Sequence, residues 1–189
     1  QACYSIPDQV CPENYQGGFA CSITGPCKVP ILKDEQERAD TVYRAEMASG
    51  VSFLWPLGSV HDAQVLVDHT IKRPFWKKYS AVRKAVVSYT PHWDIDSSCG
   101  WQSKQPNRAD MDLTIGSLCV GTVGHELGHL ARRDLDNGHR FAFLRFQFAI
   151  IQDISDAVAD VFLPRYAREL CLRGLVTGRE DWLKPFLTK

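Results

Sequence analysis

The chain has 189 residues, in which 22 Lys and Arg balance 22 Asp and Glu. Its content of 44% hydrophobic and 23% charged residues is that of a globular protein, which excludes disorder for most of the chain. The net charge of zero argues against a protein that acts mainly by binding nucleic acid or an anionic membrane. No run reaches the ~18 apolar residues that a membrane-spanning helix needs.

The seven cysteines divide the chain into two predicted parts. Four lie in the first 27 residues, in a segment rich in glycine and proline. This predicts a cysteine-bearing N-terminal extension at 1–30 and one domain at 31–189. The spacing leaves open disulfides, a structural metal or neither, because zinc ribbons and knuckles carry a closer cysteine pair. The four are Cys3, Cys11, Cys21 and Cys27; the others, Cys99, Cys119 and Cys171, are predicted to be reduced and buried.

Two helices are predicted before the first strand. The charged, helix-favouring segment 34–49 has an approximate apolar face and ends at Gly50. The second helix is predicted at 59–72, where Ser59 can cap the first turn and Pro74 prevents continuation.

Strands are predicted next, followed by helices almost to the end of the chain. β-branched residues predict a strand at 81–89. Alternating apolar and polar residues predict an antiparallel pair formed by 99–104 and 110–115. Three helices follow, at 118–132, 138–151 and 155–173. This order predicts an α+β domain with a small antiparallel sheet.

The sequence HELGH at 125–129 matches the HExxH pattern and lies inside the predicted helix. Residues i and i+4 share one helical face, so His125 and His129 can both reach one ion at ~2.0–2.1 Å. Glu126 would stand beside the ion and deprotonate a zinc-bound water. The pattern therefore predicts a zinc site with a general base. The alternative is an amphipathic core helix that carries two surface histidines.

A zinc site of this kind needs a third protein ligand and an open fourth position. His139 follows His129 after a turn-forming segment at 134–138, and its softness and closeness in sequence favour it as the third ligand. The alternative is a carboxylate from the following helix, supplied by Asp153, Asp156 or Asp160.

The segment HELGHLARRDLDNGHRFAF is similar to the pattern of SprT-like and related minigluzincin metallopeptidases. There HExxH precedes a loop and a His with an aromatic residue four positions later, which His139 and Phe143 match. With KDEQERADTVYRAE at 33–46, the chain resembles a family of HExxH metallohydrolases of actinobacteria and their phages. The resemblance spans about 33–175 and implies a zincin-like domain whose antiparallel sheet packs on the HExxH helix, with zinc and hydrolase activity. In that family Gly-Pro usually follows the third His, whereas Arg140 follows here.

A second resemblance is to the ImmA/IrrE group, in which a carboxylate-bearing helix supplies the third ligand. It rests on HELGHL together with DAVADVFLP at 156–164. This group lacks the helix at 33–46 and the turn before His139, so it ranks second.

The sequence therefore predicts a zinc metallopeptidase that acts on a peptide or protein. Glu126 would activate the water and pass its proton to the leaving amine, while the strand at 110–115 would hold the substrate by backbone hydrogen bonds. The alternative is a non-catalytic binding or accessory protein with a zinc-stabilised fold. No nucleic-acid or membrane partner is expected, and no oligomeric state is predicted. The resemblance favours an intracellular location, whereas disulfides in the extension would favour secretion.

Overall fold

The computed structural model describes residues 20–21, 25–26, 35–92, 97–101, 104–105, 107–114, 116–131 and 138–188. Within the N-terminal extension, two short strands pair antiparallel, β1 (Ala20–Cys21) and β2 (Gly25–Pro26). The side chains of its four cysteines lie outside the described residues, so their state stays a prediction, as does the boundary at residue 30.

The first two predicted helices are confirmed. α1 (Glu35–Ser49) ends at Gly50, whose φ of 85° lies in the left-handed region that glycine adopts without strain. A single 3₁₀ turn at Val51–Phe53 follows. α2 (Val60–Lys72) begins with the predicted cap, since the side-chain oxygen of Ser59 accepts a hydrogen bond from the Asp62 backbone N–H at 3.2 Å.

The chain then turns through a short helix into a three-stranded sheet. The helix is α3 (Pro74–Tyr79), and the strands are β3 (Lys84–Thr90), β4 (Ser98–Trp101) and β5 (Arg108–Thr114). The order in the sheet is β3-β5-β4, so β5 lies in the middle.

The prediction of an antiparallel sheet is wrong for its longest pair. β3 runs parallel to β5 over seven residue pairs, from Lys84 opposite Arg108 to Thr90 opposite Thr114. The predicted hairpin does form, because β4 pairs antiparallel with β5. Since β4 occupies one edge of β5, β3 can pair only with the other edge. There it runs in the same direction as β5. The class is α+β, with a mixed sheet.

The central position of β5 also overturns the prediction that the strand at 110–115 holds a substrate. Its backbone groups are already paired with β3 over 108–114 and with β4 over 109–112. In the described part of the chain, β4 is the edge strand on that side of the sheet. A strand that adds to this sheet next to β4 would find unpaired backbone groups, whereas one beside β5 would not.

Three long helices complete the domain: α4 (Val120–Ala131), α5 (Phe141–Ile154) and α6 (Asp156–Leu172), and a short α7 (Lys184–Leu187) follows. α4 packs against α5, β4, α2 and the 3₁₀ turn, and α6 packs against α1 and α5. α4 therefore lies between the sheet and the helical layer, and this position fixes where the HELGH residues point. No helix in the described part of the chain is long and apolar enough to cross a membrane.

The three cysteines of the domain are free thiols, as predicted. Cys119 is buried, but the prediction of burial is wrong for Cys99 and Cys171, which are half-buried.

Candidate metal centre

The structure brings together the three histidines predicted as metal ligands. His125 and His129 lie one turn apart on α4, and His139 lies two residues before α5. The Nε2 atom of His125 is 3.2 Å from Nε2 of His129 and 3.1 Å from Nε2 of His139. The ligand atoms of all three rings lie within 4.8 Å of one another. His125 and His139 are buried and His129 is half-buried. The three histidines can therefore hold a metal ion.

The carboxylates proposed as alternatives for the third ligand are not part of this group. Both carboxylate oxygens of Asp153 instead accept a hydrogen bond from Nε of Arg73, at 3.0 and 3.1 Å. Asp156 lies with Asp153 in a groove on the α5–α6 side, lined also by Phe75 and Arg145. Asp160 lies one turn further along α6. The prediction of His139 over the three aspartates is the one that agrees with the geometry.

Two of the histidines are held from behind by carboxylates on α1. Glu46 Oε1 is 2.7 Å from Nδ1 of His125, and Glu35 Oε1 is 3.0 Å from Nδ1 of His139. Glu35 Oε1 also accepts a hydrogen bond from the backbone N–H of His139 at 2.7 Å. An ionised carboxylate only accepts, so in a neutral ring it places the proton on Nδ1 and leaves Nε2 with a lone pair.

The buried Glu46 carboxylate is in turn held by a polar chain that enters the helical core. Gln147 on α5 donates from Nε2 to Glu46 Oε1 at 2.5 Å, and Tyr166 on α6 donates from its hydroxyl to Gln147 Oε1 at 2.9 Å. Burial, together with the negative charge of Glu46, raises the pKa of Tyr166 well above its ordinary value, so its hydroxyl stays protonated. Four side chains from α1, α4, α5 and α6 thus form one connected hydrogen-bonded chain.

The backbone at Gly138 explains how His139 reaches Glu35. Its φ is 66°, in the left-handed region, and a Cβ added there would lie 2.0 Å from Glu35 Oε1. Any other residue would therefore be both strained and in collision with the carboxylate that holds His139. Gly138, the last residue of the predicted turn at 134–138, permits this contact; the rest of that turn lies outside the described residues.

Aromatic rings and a close helix contact enclose the histidines. The ring of Phe143 lies 4.8, 4.4 and 5.0 Å from the rings of His125, His129 and His139. Tyr43 on α1 stacks on His125 at 5.2 Å, with 21° between the planes. Gly128 allows α5 to approach α4, because a Cβ there would meet the Phe143 ring at 3.0 Å.

Burial and the neighbouring histidines keep the half-buried His129 ring neutral. Burial, together with the neighbouring His125 and His139, lowers the pKa of His129 to about 2, so this ring is neutral at physiological pH. For His125, burial would lower the pKa, but the carboxylates of Glu46 and Glu126 raise it above its ordinary value. For Glu35, burial would raise the pKa, but the hydrogen bonds from His139 lower it.

Glu126 lies where α4 meets the edge strand. It is 6% exposed, and burial raises its pKa, against the opposing effects of His125 and a hydrogen bond from the Cys99 thiol. The same thiol, on β4, donates to the Glu126 backbone oxygen at 3.2 Å. Glu126 is therefore between the histidine cluster and β4, and its raised pKa makes the carboxylate a stronger proton acceptor than an exposed one.

Four supporting residues cannot be identified from the sequence alone: Glu35, Glu46, Gln147 and Tyr166. Glu35 and Glu46 fall inside the segment 33–46 that carries the family resemblance, which was the available signal, although no role was assigned to them. Gln147 and Tyr166 stand in apolar helices without any motif, so only the fold reveals them.

Comparisons of the chain with family models, with curated proteins and with solved structures found no match. Function is therefore inferred from the geometry of the centre and from the HELGH motif.

Proposed function

We propose that this chain is a zinc-dependent hydrolase, and specifically a metallopeptidase. The observation that carries the proposal is the convergence of Nε2 atoms at 3.1 and 3.2 Å from His125. Because Glu46 and Glu35 hold the Nδ1 protons of His125 and His139, these Nε2 atoms present lone pairs to one another in the neutral rings. Nitrogens this close need a proton or a cation between them, and when all three rings are neutral in this tautomer a metal cation takes that place.

Zinc fits this donor set. Tetrahedral zinc with Zn–N bonds of ~2.0–2.1 Å places its ligand nitrogens about 3.3 Å apart, close to the observed separations. Three imidazoles with an open fourth position are a catalytic rather than a structural zinc set. The carboxylates behind His125 and His139 are the outer partners that metal-binding histidines usually have.

The residues around the centre support hydrolysis. Zinc, when bound, supplies a Lewis acid for a carbonyl oxygen and acidifies a coordinated water. His125, His129 and His139 hold the ion, and the His rings are fixed by Phe143 and the α1 carboxylates. Glu126 accepts the proton of the attacking water and delivers it to the leaving amine, a task that suits its raised pKa.

The edge strand supports a peptide as the substrate. β4 lies beside α4, and its Cys99 contacts Glu126 directly. An extended peptide that paired with β4 would run past Glu126 and the histidines, with its backbone held by strand-type hydrogen bonds. This arrangement, with the HELGH helix under an edge strand, is the basis on which we propose a zincin-like domain at 31–189.

The test is metal analysis of the full chain together with the Glu126→Gln variant. We expect about one zinc per chain in both proteins, and cleavage of a mixed fluorogenic peptide library by the wild type only. The variant keeps the shape of the side chain but cannot take up the proton, so the rate should fall by at least ~100-fold. Absence of zinc would refute the metal centre. Zinc with equal turnover in both proteins would refute the role of Glu126, and zinc without turnover in either would favour the accessory-protein alternative.

A further inference from the structure

We infer that Gln147 and Tyr166 are positioning residues of the metal centre, which set its affinity for metal through Glu46 and His125. The inference rests on the proposed zinc centre and assigns a role to two core residues that touch neither the ion nor a substrate.

One oxygen of Glu46 contacts both His125 and Gln147. Glu46 Oε1 is 2.7 Å from His125 Nδ1 and 2.5 Å from Gln147 Nε2. The position of this oxygen therefore depends on where the Gln147 amide lies, and the rotation of the His125 ring depends on the oxygen. Gln147 has no exposed surface and Glu46 is 4% exposed, so water does not compete for these contacts.

Tyr166 fixes which end of the Gln147 amide faces Glu46. An amide side chain can lie in two orientations that exchange its oxygen and its nitrogen. The Tyr166 hydroxyl donates to Gln147 Oε1 at 2.9 Å, which turns the NH₂ group toward the carboxylate. Without that hydroxyl, the reversed amide would set its oxygen against the oxygen of Glu46.

Packing alone does not account for the hydrogen-bonded side chains of Glu46, Gln147 and Tyr166. Tyr166 stands in an apolar cluster, with its ring stacked on Phe148 at 5.1 Å. Burying an amide, a hydroxyl and a carboxylate in such a core costs free energy that apolar residues of the same volume would not cost. These polar groups gain a function if they hold Glu46, which in turn holds His125. Mutation of the outer partner of a metal ligand typically lowers metal affinity by ~10–100-fold.

The experiment compares zinc affinity in Gln147→Met and Tyr166→Phe, measured in the full chain by competition with a chromophoric chelator at fixed pH. We expect affinity to fall ~10-fold in Gln147→Met, which removes the donor to Glu46. In Tyr166→Phe we expect a fall of ~3-fold. Leu170→Val is the matched control, since it removes one methylene group from the same core and the same helix without altering any of the hydrogen-bonded side chains. It should lower Tm but leave zinc affinity unchanged.

A double-mutant cycle separates positioning from a general effect on folding. In a Glu46→Gln background, Tyr166→Phe should cause little further loss, because its route to the metal is already weakened. Wild-type affinity in both single variants would overturn the inference, as would an equal loss in the Leu170→Val control. Tyr166→Phe removes a single oxygen, so it decides the question even if Gln147→Met does not fold. Failure of the metal centre itself would instead show as wild-type protein without zinc.

Discussion

The two carboxylate-backed histidines use the same contact in two different environments. The Glu46 side chain behind His125 is 6% exposed and is held by Gln147. The Glu35 side chain behind His139 is 43% exposed and lies 3.8 Å from Arg140. Solvent and salt weaken an exposed contact but hardly reach a buried one. We therefore expect His125 to be the rigid anchor of the proposed centre and His139 to be its adjustable ligand.

The sharpest test of this comparison is Glu46→Gln. The amide keeps the size of the side chain but removes the buried negative charge that faces His125 Nδ1 and the NH₂ group of Gln147. We expect zinc affinity to fall by ~10–100-fold. Chelator competition measures the loss, and an affinity within twofold of wild type would contradict the anchor role.

Gly138→Ala should disturb the exposed contact between Glu35 and His139 by changing the backbone. The new Cβ would collide with Glu35 Oε1 and adopt a left-handed conformation that costs ~1–2 kcal/mol. We expect lower stability and, because His139 is displaced, a loss of zinc affinity of about tenfold.

The matched control for Gly138→Ala is Gly178→Ala. Gly178 also has a positive φ, of 79°, but lies near Cys171 and Leu187 rather than at the histidines. It should lower Tm through the same backbone strain and leave zinc affinity unchanged. Equal affinity losses in the two variants would show that Gly138 acts only through stability.

Glu35→Gln should have a smaller effect than Glu46→Gln. The exposed amide can still accept the hydrogen bonds from His139, and the lost charge is screened by solvent. We expect zinc affinity to fall no more than about fivefold. Titrations of both variants under the same conditions give the ratio, and a loss as large as that of Glu46→Gln would end the distinction between anchor and adjustable ligand.

Asp153→Asn should have the smallest effect. Its partner is Arg73, which is 45% exposed, so loss of the pair should change stability little. We expect one zinc per chain and unchanged affinity by metal analysis and chelator competition. Release of zinc by this variant would revive a carboxylate as third ligand.

The sequence predicts best what is local in the chain. The shared face of His125 and His129 on α4 follows from one helical turn, and the sequence alone favours His139 as the third member of the group, which the structure brings to them. The helix at 59–72 follows from the Ser59 cap, which the structure shows. These features depend on a few neighbouring residues, whose conformational preferences act whatever the rest of the chain does.

The sequence predicts poorly what depends on long-range pairing. Alternation along β5 shows that it is a strand but carries no information about the direction of its neighbours, so the parallel pairing with β3 was missed. Glu46 and Glu35 meet their histidines across 79 and 104 positions. A buried Glu, Gln or Tyr in an otherwise amphipathic helix has no periodic signature that would identify its partner.

The position of α1 has a consequence for the order of assembly. This helix is synthesised before every element of the domain that it contacts, yet its two carboxylates meet residues that leave the ribosome some hundred positions later. Contacts of such high sequence separation form late in folding, because a long loop must close first. We therefore expect the hydrogen bonds that hold His125 and His139 to form only after α1 has docked against α6. Zinc capture would then close the folding reaction and select the completed domain from its partly folded forms.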